Sequence, residues 1–427
     1  MSSQYQSTAM ICVEEAQEII LSHAKVLECE QVSMLEATGR VLAKDIKSDI
    51  DISPFDNSGM DGFAVKAANT AGASLEQPAE LKIVGGIGAG EVYTNTLEDG
   101  EALRIMTGAP VPAGADTVVK IEATTVEGES EETPYGKTVL IAEELTLGKN
   151  VRYKGEEVSA GEVLLTKGTV VHPAGVGLLA ATGNPMVEVF SRPRVAILSS
   201  GDELVEPSEK PGPGKIRNSN CYSLAAAVEE AGGKAHIVGI VRDNADEIRE
   251  AIAKAAAEHD FVLISGGAAE GDYDYTNKII RELGHVLFTK VNMRPGKAQT
   301  LGIINDTIVF GLAGNPSAAM VGFEILLRPA LRKMQGYEHI NRPVMQARLT
   351  ADVKKPDTRN FYLRASVSFD AENNEHVVTP GGNQSSALLG ALQNANCLVV
   401  LSKDLAGNAK GEMVTCHRLD VSEGTVV

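Results

Sequence analysis

From about Pro193 the chain repeats one unit, and this repetition restricts the fold more than any other feature. "RVAILSSGDEL" is a short apolar run that ends in small and acidic residues, and "NSNCYSLAAAVEEAGG" is a helical stretch stopped by glycine. "KAHIVGIVRDN" is a second apolar run ending in acid. The cycle then recurs. "ADEIREAIAKAAAEH" places Ile248, Ile252 and Ala255 on one helical face, "FVLISGG" reads as a buried strand, and "YTNKIIRELG" as a further helix. Strands rich in β-branched residues, alternating with helices of this length, predict an α/β fold: a parallel sheet with helices on both faces.

The rest of the chain has other periods. Residues 60 to 190 are rich in Gly, Thr and Val, with short runs such as "ALRIM", "DTVVKIE" and "KTVLIA" between turn residues, which predicts β-rich satellite domains. In "LRPALRKMQGYEHINRP" a helix ends and prolines follow, marking a boundary. Beyond it "VMQARLTADV", "NFYLRASVSF", "HVVTP" and "CLVVLS" alternate at period two, as a small β domain does. A length of 427 residues is consistent with several such domains.

Charge narrows the partners. Lys and Arg number 39 against 57 Asp and Glu, a formal balance of −18, and no basic run interleaves with aromatics. General binding to nucleic acid or to an anionic membrane is disfavoured, whereas an anionic ligand needs local basic groups or a bridging cation. The five cysteines are scattered without a C-x-x-C pair, as in a reduced, cytoplasmic protein without thiolate metal sites. "AAMVGFEILL" is the longest apolar stretch, about half the ~20 residues of a membrane span, and "MSSQYQSTAM" lacks the pattern of an export signal.

In an open parallel sheet, ligands sit beyond the carboxyl ends of the strands. Three successive predicted strands end there in "SSGDEL", "RDN" and "SGGAAEGDYD". Ser200, Gly201, Ser265, Gly266 and Gly267 leave main-chain N–H groups open to phosphate oxygens. Glu203, Asp243 and Asp274 suit Mg²⁺, which commonly takes one or two carboxylates plus substrate phosphates. Singly, Asp243 or Asn244 could cap the following helix, as could Asp274. Converged, such carboxylates repel by about 4 kcal/mol per pair at 4 Å and an effective dielectric of 20, which favours a cation among them.

Lys290, Arg294 and Lys297 recur around the Pro-Gly turn of "TKVNMRPGKA" and are candidate anion ligands, although such charges also occur on solvated faces. Gly314 and Asn315 in "GLAGNPSAAM" form another candidate anion-binding helix start. "FDNSGMDGFAV" and "RIMTGAPVPAGAD" are Gly-rich turns carrying Asp61 and Thr107. "GGIGAG" has the wrong spacing for a dinucleotide fingerprint, and no Walker loop, H-E-x-x-H or G-x-S-x-G is present.

These motifs, with "VRYKGEEV", "RVAILSSGDELVEP", "RPGKA" and "GGNQSS", occur in an order that resembles the molybdopterin molybdenumtransferase family, which includes the E domain of gephyrin. The resemblance covers nearly the whole chain. It implies a homodimer whose subunit has a central molybdopterin-binding α/β domain, inserted β-rich N-terminal domains and a C-terminal β domain. The corresponding boundaries are a helix at 1–27 on the central domain, domain I at 28–60 and 150–190, and domain II at 61–149. Domain III follows at 191–338 and domain IV at 339–427.

The implied activity is the last step of molybdenum cofactor synthesis, in which adenylylated molybdopterin and molybdate, with Mg²⁺, yield the charged cofactor and AMP. An upstream molybdopterin adenylyltransferase and recipient molybdoenzymes are the implied partners. By motif match the functional positions are Asp61, Thr107, Glu203, Asp243 and Asp274, the last three at the metal. Lys290, Arg294, Lys297, Arg364 and Ser386 are the implied ligands of the anion. The N-terminal motifs of one chain are expected to face the α/β domain of the other.

Ala268 and Ala269 replace the family's Val-Ser, and "LAGNPSA", "PGKA", Ser200 and Glu157 are further departures. They suggest a divergent enzyme, such as a tungstate-preferring paralogue. A non-catalytic carrier or scaffold of the same fold is the alternative, and an adenylyltransferase or nucleotide pyrophosphatase built on the shared α/β domain is a weaker one.

Overall fold

The computed structural model describes residues 9–266, 275–355 and 357–427. The chain divides into two compact units: Ser33–Thr38 with Lys44–Val187, and the remainder, Met1–Val32, Gly39–Ala43 and Glu188–Val427.

The smaller unit is built on a six-stranded sheet: β1 (Gly62–Val65), β2 (Ala79–Ile87), β3 (Glu101–Ile105), β4 (Thr117–Lys120), β5 (Thr124–Glu127) and β6 (Thr138–Ile141), in the order β4-β1-β3-β2-β6-β5. All of β1 is buried, and its alternating side chains enter two apolar clusters, Phe63 and Val65 in one and Ala64 in the other. Gly62 opens β1 because nothing larger fits: a Cβ there would lie 1.8 Å from the Val119 carbonyl oxygen of β4.

In the larger unit the predicted α/β pattern is present. The central sheet has the order β8-β7-β9-β12-β11-β10, made of β7 (Arg194–Ser200), β8 (Lys234–Val241), β9 (Phe261–Ser265), β10 (His285–Lys290), β11 (Ala298–Ile304) and β12 (Thr307–Leu312). The sheet is mixed: β7, β8, β9 and β12 are parallel, whereas β11 runs antiparallel to both of its neighbours. A two-residue link at Asn305–Asp306, both with positive φ, makes β11 and β12 a tight hairpin with no room for a crossover helix.

The central strands bury both faces. Val195, Ile197, Phe261, Leu263, Ile308 and Phe310 enter one cluster, and Ala196, Leu198, Val262, Ile264 and Val309 the other. This is why they read as continuous apolar runs. Helices α1 (Val13–His23), α2 (Asn220–Glu230), α5 (Pro316–Gly322) and α6 (Arg328–Met334) cover the first face, and α3 (Ala245–Glu258) and α4 (Tyr275–Leu283) the second. Of α3, Ile248, Ile252 and Ala255 face inward, as their spacing predicts.

The C-terminal strands are β13 (Val344–Leu349), β14 (Asn360–Asp370), β15 (Glu375–Pro380), β16 (Cys397–Leu401) and β17 (Met413–Arg418). They pair in the order β14-β15-β13-β17-β16, and a further β14–β16 pairing closes the ring. Along β14, Phe361, Leu363, Ala365 and Val367 fill this small barrel. The alternate residue Tyr362 joins the core of the α/β domain instead. No helix among the described residues is long and apolar enough to cross a membrane.

Candidate active site

Three strand ends carry the first group of candidates. Ser200, which closes β7, donates its hydroxyl to Asp243 Oδ1 at 2.8 Å. The backbone N–H of Asp202 reaches Asp243 Oδ2 at 3.3 Å, and the N–H of Asp243 returns to Asp202 Oδ1 at 3.4 Å. Asp243 therefore does not cap α3. That role falls to Asn244, whose side chain accepts from the N–H groups of Asp246 and Glu247. Glu203 is exposed and folds back over Gly201, where a Cβ would meet its carboxylate at 2.4 Å.

Gly266 follows β9 with φ +97°, and a Cβ there would lie 2.3 Å from the Ser200 carbonyl oxygen. The ends of β7 and β9 thus touch backbone to backbone, which only glycine permits. Asn220, the first residue of α2, fastens the third turn by donating to Ser265 Oγ at 2.6 Å and to the Gly314 carbonyl at 2.8 Å. Sequence reasoning missed Asn220, because an Asn ahead of an apolar helix reads as an ordinary capping residue. Ser200, Gly201, Glu203, Asp243, Ser265, Gly266 and Gly314 accordingly share one end of the sheet. Asp274 and Gly267, with the Ala268-Ala269 departure, lie outside the described residues. Among the described residues, no three His, Cys, Asp or Glu side chains stand close enough to hold a metal ion.

The basic group reaches the same end through strand direction. Because β11 is antiparallel to both β10 and β12, the close of β10 at Lys290 and the start of β11 after Lys297 fall at the end where β12 finishes. Lys297 is exposed there. Arg294 is engaged: its Nη1 donates to Asp357 Oδ2 at 2.6 Å, and its guanidinium lies 5.8 Å from the Phe361 ring centre. Arg359 binds the same carboxylate, and the two guanidinia, Arg359 foremost, hold Asp357 far below the ordinary carboxylate range. Arg294 thereby anchors the Pro-Gly turn to the C-terminal barrel and is partly neutralised.

Arg364 has the opposite status. Like Tyr362 it points outward from the barrel, yet it is 0% exposed. Its Nη2 donates to the Ser385 carbonyl at 3.0 Å, and the neighbouring Ser386 carbonyl accepts from the N–H of Ser317 in α5. Nε and Nη1 are buried without an acceptor, and Arg364 has no ion pair with any described carboxylate. Burial alone pushes its pKa down. A buried guanidinium with two unmet donors is the chemical complement of an oxyanion. Asn315 precedes α5 without a side-chain cap bond, and the hydroxyl of Ser317 is also unmet.

In the smaller unit, Asp61 and Thr107 meet. One Asp61 oxygen accepts from both the N–H and the hydroxyl of Thr107, each at 2.7 Å, and those bonds lower its pKa. Both residues are exposed, so the pair presents a fixed carboxylate at the surface. Arg104 steadies the turn by donating to the Gly62 carbonyl at 2.9 Å.

Comparison with known proteins places these motifs. The family model described as "MoeA N-terminal region (domain I and II)" matches residues 11–183, "Probable molybdopterin binding domain" matches 196–333, and "MoeA C-terminal region (domain IV)" matches 346–419. The molybdopterin molybdenumtransferase of Bacillus subtilis is 38% identical over 95% of this chain and 93% of its own length. The chain belongs to the molybdopterin molybdenumtransferase family. Another molybdopterin molybdenumtransferase, from Staphylococcus aureus, is 35% identical over 95% of this chain and 94% of its own. A crystal structure of a molybdopterin biosynthesis MoeA protein from Pyrococcus horikoshii superposes with a TM-score of 0.80 at 32% identity, covering 97% of this chain and all of that one. Within the molybdopterin molybdenumtransferase frame, the conjunction of Ser200, Asp243, Ser265 and Gly314 lies in the segment matched by the molybdopterin-binding model, and Arg364 in the C-terminal one.

Proposed function

We propose that this molybdopterin molybdenumtransferase joins molybdate to adenylylated molybdopterin at the carboxyl end of its α/β sheet, releasing AMP. Arg364 carries the reading. A fully buried cation with two unmet donors is costly to keep, whereas a tetrahedral dianion such as molybdate accepts both bonds and balances the charge. Lys290, Lys297 and the Ser386 turn complete the anion site in this reading, and Arg294 positions it through Asp357.

The carboxylates of Glu203 and Asp243, with Asp274, fit Mg²⁺ as hard oxygen donors that leave room for substrate phosphates. When bound, Mg²⁺ supplies charge neutralisation at the phosphoanhydride. The chain's own part is positioning. Ser200 holds Asp243 in place, and the bare backbone at Gly201, Gly266 and Gly314 admits phosphate oxygens close to main-chain N–H groups. In the proposed homodimer, the Asp61–Thr107 pair of one chain faces this site of the other. The domain boundaries anticipated from the motifs belong to the same proposal.

Purified protein incubated with adenylylated molybdopterin, Mg²⁺ and molybdate is expected to release AMP in proportion to cofactor formed. Release that is indifferent to molybdate and tungstate alike, with molybdopterin binding intact, would instead mark a carrier of the same fold.

A further inference from the structure

Helix α2 starts in the segment "RNSN", and both asparagines there are buried, Asn218 at 1% and Asn220 at 8% exposure. An amide nitrogen carries two protons, and Asn220 gives one to Ser265 Oγ and one to the Gly314 carbonyl. Its orientation is therefore fixed. Its Oδ1 is buried and accepts from nothing. Asn218 is the converse case: its Oδ1 accepts from the Cys221 N–H at 3.3 Å, and its Nδ2 is buried and donates to nothing.

One unmet acceptor and one unmet donor thus stand two residues apart, at a helix start fastened to the ends of β9 and β12. Buried polar groups are satisfied as a rule, and leaving one unmet is costly. For a ligand that meets both atoms, their opposite polarity discriminates among classes. A phosphate or molybdate only accepts, so it leaves Asn220 Oδ1 unmet, and a metal ion leaves the Asn218 donor unmet. A neutral heterocyclic edge with an N–H beside a C=O satisfies both, and the aminopyrimidinone ring of a pterin has that edge.

We propose that Asn218 and Asn220 are specificity-determining residues that read the N–H/C=O edge of the pterin. The proposal rests on molybdopterin binding at this sheet end, and adds an orientation: the ring lies against the start of α2, and the phosphate towards the glycine turns.

Full-length protein, titrated by calorimetry with molybdopterin and separately with AMP under anaerobic conditions, tests it. Asn218→Ser keeps a side-chain oxygen to cap α2, withdraws the amide donor and adds no buried charge, and its thermal melt is the control for folding. It is expected to weaken molybdopterin binding about tenfold or more while AMP affinity changes less than about twofold. Asn220→Leu removes both acceptor and clamp and is expected to weaken molybdopterin further. Unchanged molybdopterin affinity in Asn218→Ser, or an equal loss for both ligands in either variant, overturns the assignment. Wild-type protein that binds AMP but no molybdopterin defeats the functional reading, and the assignment with it; that failure shows without any variant.

Discussion

Replacing Arg364 with methionine separates stability from function. Methionine keeps the long unbranched shape and deletes the guanidinium, whose Nε and Nη1 are buried without partners. Each unmet buried donor costs about 1–3 kcal/mol, so the two together cost about 2–6. Against this, Arg364→Met loses one charge-assisted hydrogen bond, to Ser385, of about 1.5–3 kcal/mol. Midpoint against midpoint, the net expectation is a more stable ligand-free protein, by about 2 kcal/mol, or roughly 2–4 °C in Tm per kcal/mol for a unit of this size. Molybdate at a hundred times its Kd adds about 2.7 kcal/mol to the wild type by mass action. Arg364→Met is expected to gain nothing from it. Differential scanning fluorimetry with and without molybdate, run beside sulfate as a control anion, reads both effects. A lower ligand-free Tm in Arg364→Met shows that the guanidinium is already satisfied in the free protein, and an equal molybdate shift in both proteins removes it from the anion site. Either result refutes the reasoning.

Other outcomes follow from separate features. The Glu423 side chain, held by Arg328 at 2.6 Å and Arg332 at 3.2 Å, is buried, and Glu423→Ala takes from Arg332 its described carboxylate and leaves Arg328 only the longer contacts to Glu230 (3.5 Å) and Glu324 (4.0 Å); a loss of about 3 kcal/mol in chemical denaturation is expected. His417 has its pKa depressed by burial, so the folded state resists a proton that the unfolded chain accepts below its ordinary value of 6.5. Its contribution is complete above that pH and is lost as pH falls. Unfolding free energy, and Tm with it, is therefore expected to decline between pH 7 and 5, the free energy by at most about 1.36 kcal/mol per pH unit, and His417→Gln is expected to flatten the decline. Gly62→Ala forces a Cβ to 1.8 Å from a backbone carbonyl, and a loss of more than about 3 kcal/mol in the smaller unit, with little soluble yield, is the expected result. Thr107→Val removes one of two bonds to Asp61; AMP release is expected to fall while the melt is unchanged, since both residues are exposed.

The sequence by itself determined the α/β pattern, the inward face of α3 and the strand-end position of Ser200, Gly201, Asp243, Ser265 and Gly266, because periodicity and turn chemistry are local. Even there it left Asp243 and Asn244 interchangeable as caps, and only the contact with Ser200, 43 positions away, separates them. The reversed direction of β11 escaped it, since a hairpin and a crossover differ by where neighbouring strands dock. Arg294 and Arg364 show the limit most clearly. Both read as candidate anion ligands, yet one is bound by Asp357, 63 positions distant, and the other stays unmet. Whether a charge is spent or available depends on which distant carboxylate folding brings beside it. The outward face of β14 likewise reads as solvent-facing from its period. Tertiary packing against the α/β domain buries Tyr362 and Arg364 on that face, and leaves Nε and Nη1 of Arg364 without acceptors.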